Sequence, residues 1–177
     1  MLQDKSILIT GGSSMVATHM KEILPSGYNV MYIDSSYCDL TDPKAVKWLI
    51  SSIMPDHVIH LAAKVGGIQD NIKYPAEYFN ENILMNTILI KVCQEYNIKR
   101  FTGILSTCIY PDVVDTYPMS ELDIHKGPPA PTNFSYGYSK RAMAVQIDAH
   151  NKQYGTKYNY LIPCNLFGEH DNFNHTT

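Results

Sequence analysis

A chain of 177 residues with 45% apolar and 18% charged side chains has the composition of one globular domain, residues 1–177, with a real core. A net charge of −3 without a basic stripe argues against nucleic acid as a partner, and no run of about 18 apolar residues offers a membrane span. The four cysteines (Cys38, Cys93, Cys108, Cys164) are widely spaced with no CxxC pair, so no metal site is expected; with no signal-peptide layout at Met1–Lys5, a reducing cytoplasm fits.

Strand and helix signals alternate along the chain. Ser6–Thr10 is a short apolar strand ending at Gly11-Gly12, and Met15–Leu24 reads as a helix closed by Pro25-Ser-Gly27. Tyr28–Ile33 is a second strand ending at Asp34. Thr41-Asp42-Pro43 opens a helix that runs to about Ile53, with a capping side chain before a first-turn proline. His57–Ala62 is the third strand. A long helix follows over Pro75–Tyr96, with Phe79, Ile83, Leu84, Ile88 and Val92 at helical spacing. Phe101–Leu105 is the fourth strand, Ser135–Tyr154 a helix, and Tyr158–Pro163 the fifth strand. The Pro-rich stretch Tyr110–Asn133 is long for a connection, which marks it as functional. The pattern implies a Rossmann-type α/β fold, a doubly wound parallel sheet with right-handed crossovers and strand order 3-2-1-4-5. Cys93 and Cys164 read as small core residues, and His57, His60 and His150 as satisfied structural histidines.

The first strand-to-helix turn is Thr10-Gly-Gly-Ser-Ser-Met-Val-Ala17. In a dinucleotide fold this turn sets the pyrophosphate on a helix N-terminus, which makes Gly11, Gly12, Ser13, Ser14, Met15 and Val16 candidate cofactor contacts. A GxxGxxG spacing reads here as Gly11, Ser14, Ala17. The bland alternative is an ordinary glycine turn. Asp34 ends the second strand, where an acid bonds the adenosine ribose and favours NAD over NADP. No Arg or Lys lies between Asp34 and Leu40, and Asp39 and Leu40 are placed at the adenine pocket.

Tyr136 and Lys140, four apart on a helix, point the same way. Ser106, at the end of the fourth strand, can reach the same phenol. The ammonium pulls the phenol pKa down and the alcohol holds a substrate oxygen, which is what proton-coupled hydride transfer needs. With 13 Tyr in the chain the spacing alone is weak; the strand end and the glycine turn give it meaning. Cys108 suggests a second acid/base function, against the alternative of a buried strand-end thiol.

These residues lie in segments that resemble the GDP-L-fucose synthase family of extended short-chain dehydrogenases/reductases: His60-Leu-Ala-Ala-Lys-Val-Gly-Gly67, Asn71-Ile-Lys-Tyr-Pro75, Leu105-Ser-Thr-Cys-Ile-Tyr-Pro111, Tyr136-x-x-x-Lys140, and Ile162-Pro-Cys-Asn-Leu-Phe-Gly168 followed by His170-Asp-Asn-Phe173. The resemblance covers essentially the whole chain. It implies NADP-dependent 3,5-epimerisation and 4-reduction of GDP-4-keto-6-deoxymannose. Tyr136 would protonate the C4 oxygen, Lys140 would tune Tyr136 and bond the nicotinamide ribose, Ser106 would polarise the ketone, and Cys108 would be one acid/base of the epimerisation. Leu61, Ala62, Ala63, Leu105, Pro163, Asn165 and Leu166 would touch the cofactor, and Gly66, Gly67, Cys108 and Asn165 the GDP-sugar substrate.

The resemblance also implies a homodimer through the two long helices. It further implies a C-terminal substrate domain missing from these residues and a second epimerisation acid, a His, eight positions after Asp171; His175 lies too early for it. Three functions follow as expectations. They are an epimerase/reductase of this kind, an NAD(P)-binding module without turnover, and another sugar-nucleotide epimerase or dehydratase.

Overall fold

The computed structural model describes residues 5–171. His175 and the end of the 170–173 motif lie outside these. A five-stranded parallel sheet is built from β1 (Ser6–Thr10), β2 (Asn29–Ile33), β3 (His57–His60), β4 (Arg100–Ile104) and β5 (Asn159–Leu161). The helices are α1 (Met15–Ile23), α2 (Pro43–Ile53), α3 (Ile68–Lys73), α4 (Pro75–Glu95) and α5 (Phe134–Tyr154). No helix among the described residues is long and apolar enough to cross a membrane.

The helix boundaries follow local chemistry. The Asp42 carboxylate accepts from the Lys44 N–H at 2.8 Å and Pro43 opens α2, as a capping acid before proline should. Gly155, at φ 67°, closes α5 in the left-handed conformation glycine tolerates best.

The expected strand order is corrected. The sheet runs β2-β1-β3-β4-β5, not 3-2-1-4-5. β3 pairs with β1 on one side and β4 on the other, with Leu8 beside Val58 and Val58 beside Phe101, all three fully buried. A strand this buried belongs inside a sheet. β2, whose Asn29 and Met31 are exposed, takes the edge. The crossover through α2 therefore passes back over β1 instead of extending the sheet beyond β2. Right-handed connections then put α1 on one face and α2, α4 and α5 on the other, where α4 packs along α5 and against α2. The core lies between that layer and the sheet: Leu49 and Ile50 of α2, Leu89, Ile90 and Cys93 of α4, Met143 and Ile147 of α5. Each such aliphatic side chain contributes roughly 1.5–3 kcal/mol on burial.

Three further expectations change. α3 falls in a stretch to which no element was assigned. Cys164 is exposed, not a core residue, because β5 ends at Leu161 and the chain beyond it lies at the surface. His150 is not satisfied, since its buried Nδ1 has no hydrogen-bond partner, whereas His57 Nε2 meets the Thr102 hydroxyl at 2.9 Å.

Candidate functional site

The connections after β1 and β3 leave in opposite directions, and a crevice opens between them at the carboxyl ends of the strands. It is a cleft of about 560 Å³, and of the expected cofactor residues it is lined by Gly11, Ser13, Ser14, Asp34, Asp39, Leu40, Leu61, Ala62 and Ala63. Gly11 has φ 73°, and a Cβ on it would lie 2.7 Å from the Ala62 backbone nitrogen, so the close passage of two chain segments requires glycine there. Ser14 is the N-cap of α1, its hydroxyl accepting from the Ala17 N–H at 3.3 Å. Met15 and Val16 form the first turn, whose N–H groups have no intrahelical acceptor and create the positive end of the helix. Gly12 faces elsewhere: its N–H donates to Ile33 O, and its carbonyl accepts from the Lys21 ammonium, both at 2.7 Å. Asp34, at the end of β2, accepts from the N–H and hydroxyl of Ser36, and the hydroxyl is the main cause holding its carboxyl below the usual range.

The far wall of the cleft is fixed by residues that the sequence did not single out. Asn82 of α4, fully buried, accepts from the Lys64 N–H and donates to the Lys64 carbonyl (both 3.0 Å) and to Tyr78 O at 2.7 Å. One turn later, Asn86 Oδ1 accepts from His60 Nε2–H at 3.0 Å, leaving Nδ1 to accept from the Thr10 hydroxyl at 2.7 Å. Burial is the first cause, and the Lys140 cation the second, that hold His60 down at about 3, so it is neutral. Two asparagines four apart on the apolar stripe of a helix are the signal that would have found this network. Gly66 and Gly67 follow: Asn71 donates to both carbonyls, at 3.1 and 3.0 Å, and a Cβ at Gly66 would collide with the Tyr78 hydroxyl.

At the end of β4, Leu105 donates its N–H to Leu161 O and is buried. Ser106 stays extended, and its hydroxyl accepts from the Cys108 N–H at 3.3 Å, opening a 3₁₀ turn over Thr107–Ile109. α5 lies against that turn. Cys108 is half-buried and adjoins Tyr136 closely enough that a thiolate there would raise the phenol further. The expected lowering of the Tyr136 phenol by the Lys140 ammonium is corrected: burial is the larger cause that pushes the phenol well up, so it carries its proton. Lys140 is 2% exposed, donates to Ile104 O at 2.8 Å and sits with Nζ 5.9 Å from the Tyr136 ring centre; burial lowers it to about 8. Arg141, next in sequence and also unforeseen, donates through Nε and Nη2 to Ile109 O and through Nη1 to Gly127 O, tying the 110–133 excursion to α5.

Tyr136, Lys140 and Cys108 are thus brought together, and Ser106 shares their strand end. None of the four lines the cleft itself, and neither do Leu105, Pro163, Asn165 and Leu166. Pro163 is half-buried after β5, and Asn165 and Leu166 are exposed.

A family model described as the NAD dependent epimerase/dehydratase family matches residues 7–177. The GDP-L-fucose synthase of Dictyostelium discoideum is 42% identical over 176 residues, covering 97% of this chain and 55% of its own. The probable GDP-L-fucose synthase of Drosophila melanogaster is 37% identical over 174 residues, 96% of this chain and 54% of its own. Among solved structures, a GDP-L-fucose synthetase from Naegleria fowleri bound to NADP superposes with a TM-score of 0.87 at 34% identity, over 98% of this chain and 54% of that one. The chain spans about half the length of the curated relatives it matches. A glycine turn against Ala62, an acid at the end of β2 and a family match that runs from β1 to the last residue agree, and the chain belongs to the NAD dependent epimerase/dehydratase family.

Proposed function

We propose that these residues form the dinucleotide-binding and proton-transferring part of a GDP-L-fucose synthase, acting on GDP-4-keto-6-deoxymannose in the cytoplasm. The observation that carries the reading is Tyr136, Lys140 and Cys108 gathered at the end of β4, one strand from a cleft of about 560 Å³ at the sheet's switch point. The cleft fits a nicotinamide dinucleotide: Ser13, Ser14 and the α1 N-terminus would hold the pyrophosphate, Asp34 the adenosine ribose, and Leu61–Ala63 the far wall. The Naegleria fowleri GDP-L-fucose synthetase is bound to NADP, which supports NADP here; Asp34 and the absence of Lys or Arg between it and Leu40 predict that NAD is accepted as well.

When bound, the nicotinamide supplies a hydride to C4 of the sugar. Tyr136, held protonated by burial, gives its proton to the C4 oxygen, so the ketone becomes an alcohol. Lys140, next to the phenol, stabilises the phenolate left behind. Ser106 orients the ketone oxygen. The same ketone acidifies C3 and C5, where Cys108 as thiolate removes a proton and an acid on the other face returns one. Gly66, Gly67 and Asn165 are assigned to the sugar nucleotide. A homodimer through α4 and α5 accounts for exposed Phe79, Leu84, Phe134 and Val145 on those helices; a monomer in light scattering would remove it.

The test is direct. The protein is incubated with NADPH and GDP-4-keto-6-deoxymannose in deuterated buffer, and NADPH oxidation and deuterium at C3 and C5 are followed. Cys108→Ser is expected to lose the exchange and retain ketone reduction. Cofactor binding with neither reaction would leave a binding module.

A further inference from the structure

We propose that Asn133 is a positioning residue that holds the Cys108 sulfur as a thiolate. Asn133 is the N-cap of α5, a position where its side chain would ordinarily accept from a first-turn N–H and stabilise the helix by about 1 kcal/mol. It makes no such bond. Instead Nδ2–H donates to Cys108 Sγ at 2.9 Å, while Oδ1 accepts from the Thr132 hydroxyl at 3.2 Å. A good capping residue is thus diverted from the helix to a thiol.

The Tyr136 phenol, which faces that sulfur from α5, keeps its proton and so sets no opposing charge against it. The sulfur lies at the N-terminus of a 21-residue helix, where the helix dipole stabilises anions. The approach is close because residue 137 is glycine: a Cβ there would lie 2.6 Å from the Cys108 carbonyl oxygen. An amide N–H, unlike a carboxylate or a hydrocarbon, stabilises S⁻ more than S–H. Asn133 thus sets how much of Cys108 is in the form that can take a proton from carbon. The role in epimerisation rests on the function proposed above; the thiolate bond does not.

The test measures the rate of Cys108 alkylation by iodoacetamide, read peptide by peptide, from pH 6 to 10 on the whole chain. Exposed Cys164 serves as the internal reference in each sample. Asn133→Asp keeps the shape and replaces the donor with an acceptor; Asn133→Leu removes it. At pH 7 both are expected to slow Cys108 by roughly tenfold or more relative to Cys164, the aspartate further than the leucine, with the rate profile displaced to higher pH. Circular dichroism shows whether each variant is folded, and the isosteric aspartate serves if the leucine variant is not. An unchanged Cys108 rate in folded Asn133→Asp, or a loss of rate without displacement of the profile, would overturn the proposal. Either result could occur in a protein that still reduces the sugar nucleotide, and the expected one in a protein that does not, so the two readings fail separately.

Discussion

Lys140 is a buried ammonium with no carboxylate beside it among the described residues, and replacing it should make the protein more stable. Its pKa falls from 10.5 to about 8 on folding. The difference, 10.5 − 8 = 2.5 pH units, corresponds to roughly 3 kcal/mol lost whenever the group must be charged in the folded state. Lys140→Met keeps the length and removes the charge. It also removes the hydrogen bond to Ile104 O, worth about 1 kcal/mol, so the net gain near pH 7 is roughly 2 kcal/mol. For a chain of this size that is a rise of about 4–8 °C in Tm. The gain depends on pH in a fixed direction. Between about pH 8 and 10.5 the unfolded lysine still binds a proton that the folded one has released, so the parent gains stability as pH rises through that window while the variant does not. Thermal unfolding by circular dichroism at pH 7 and pH 10 should show the variant ahead at pH 7 and level with or behind the parent at pH 10. A variant less stable at pH 7, or a gap that ignores pH, would refute the account of Lys140 as a strained cation retained for chemistry.

Three further outcomes are expected. Ser14→Phe places an aromatic ring at the mouth of the α1 N-terminus and should abolish NADPH binding in fluorescence titration; unchanged affinity would place the cofactor elsewhere. Tyr136→Phe removes the only proposed proton donor to C4 and should cut NADPH oxidation by roughly two orders of magnitude or more, so a mild effect in stopped-flow absorbance would reassign the donor. Asn82→Leu strands the N–H and carbonyl of Lys64 and should cost about 2–3 kcal/mol in urea unfolding, whereas a cost below about 0.5 kcal/mol would show that water replaces the amide.

Strand and helix succession was legible because each apolar run is bounded by Gly, Pro or a capping side chain, and the observed elements start and stop within a few residues of those marks. Strand order was not, since it depends on where α2 crosses, and only the burial of β3 on both flanks records that. α3 escaped notice because six residues after Gly66-Gly67 carry too little periodicity. Within the site, Tyr136, Lys140 and Cys108 stood out by residue type and spacing. Asn82, Asn86, Asn133 and Arg141 did not: their roles lie in which carbonyl, ring nitrogen or sulfur faces them, and those partners are distant in sequence.

Arg141 couples two parts of the molecule that could otherwise wander independently. The surface excursion between β4 and α5 is anchored, through the Ile109 and Gly127 carbonyls, to the residue adjoining Lys140. Whatever approaches that arm therefore meets a segment tied at Ile109 and Gly127 to the helix bearing the phenol.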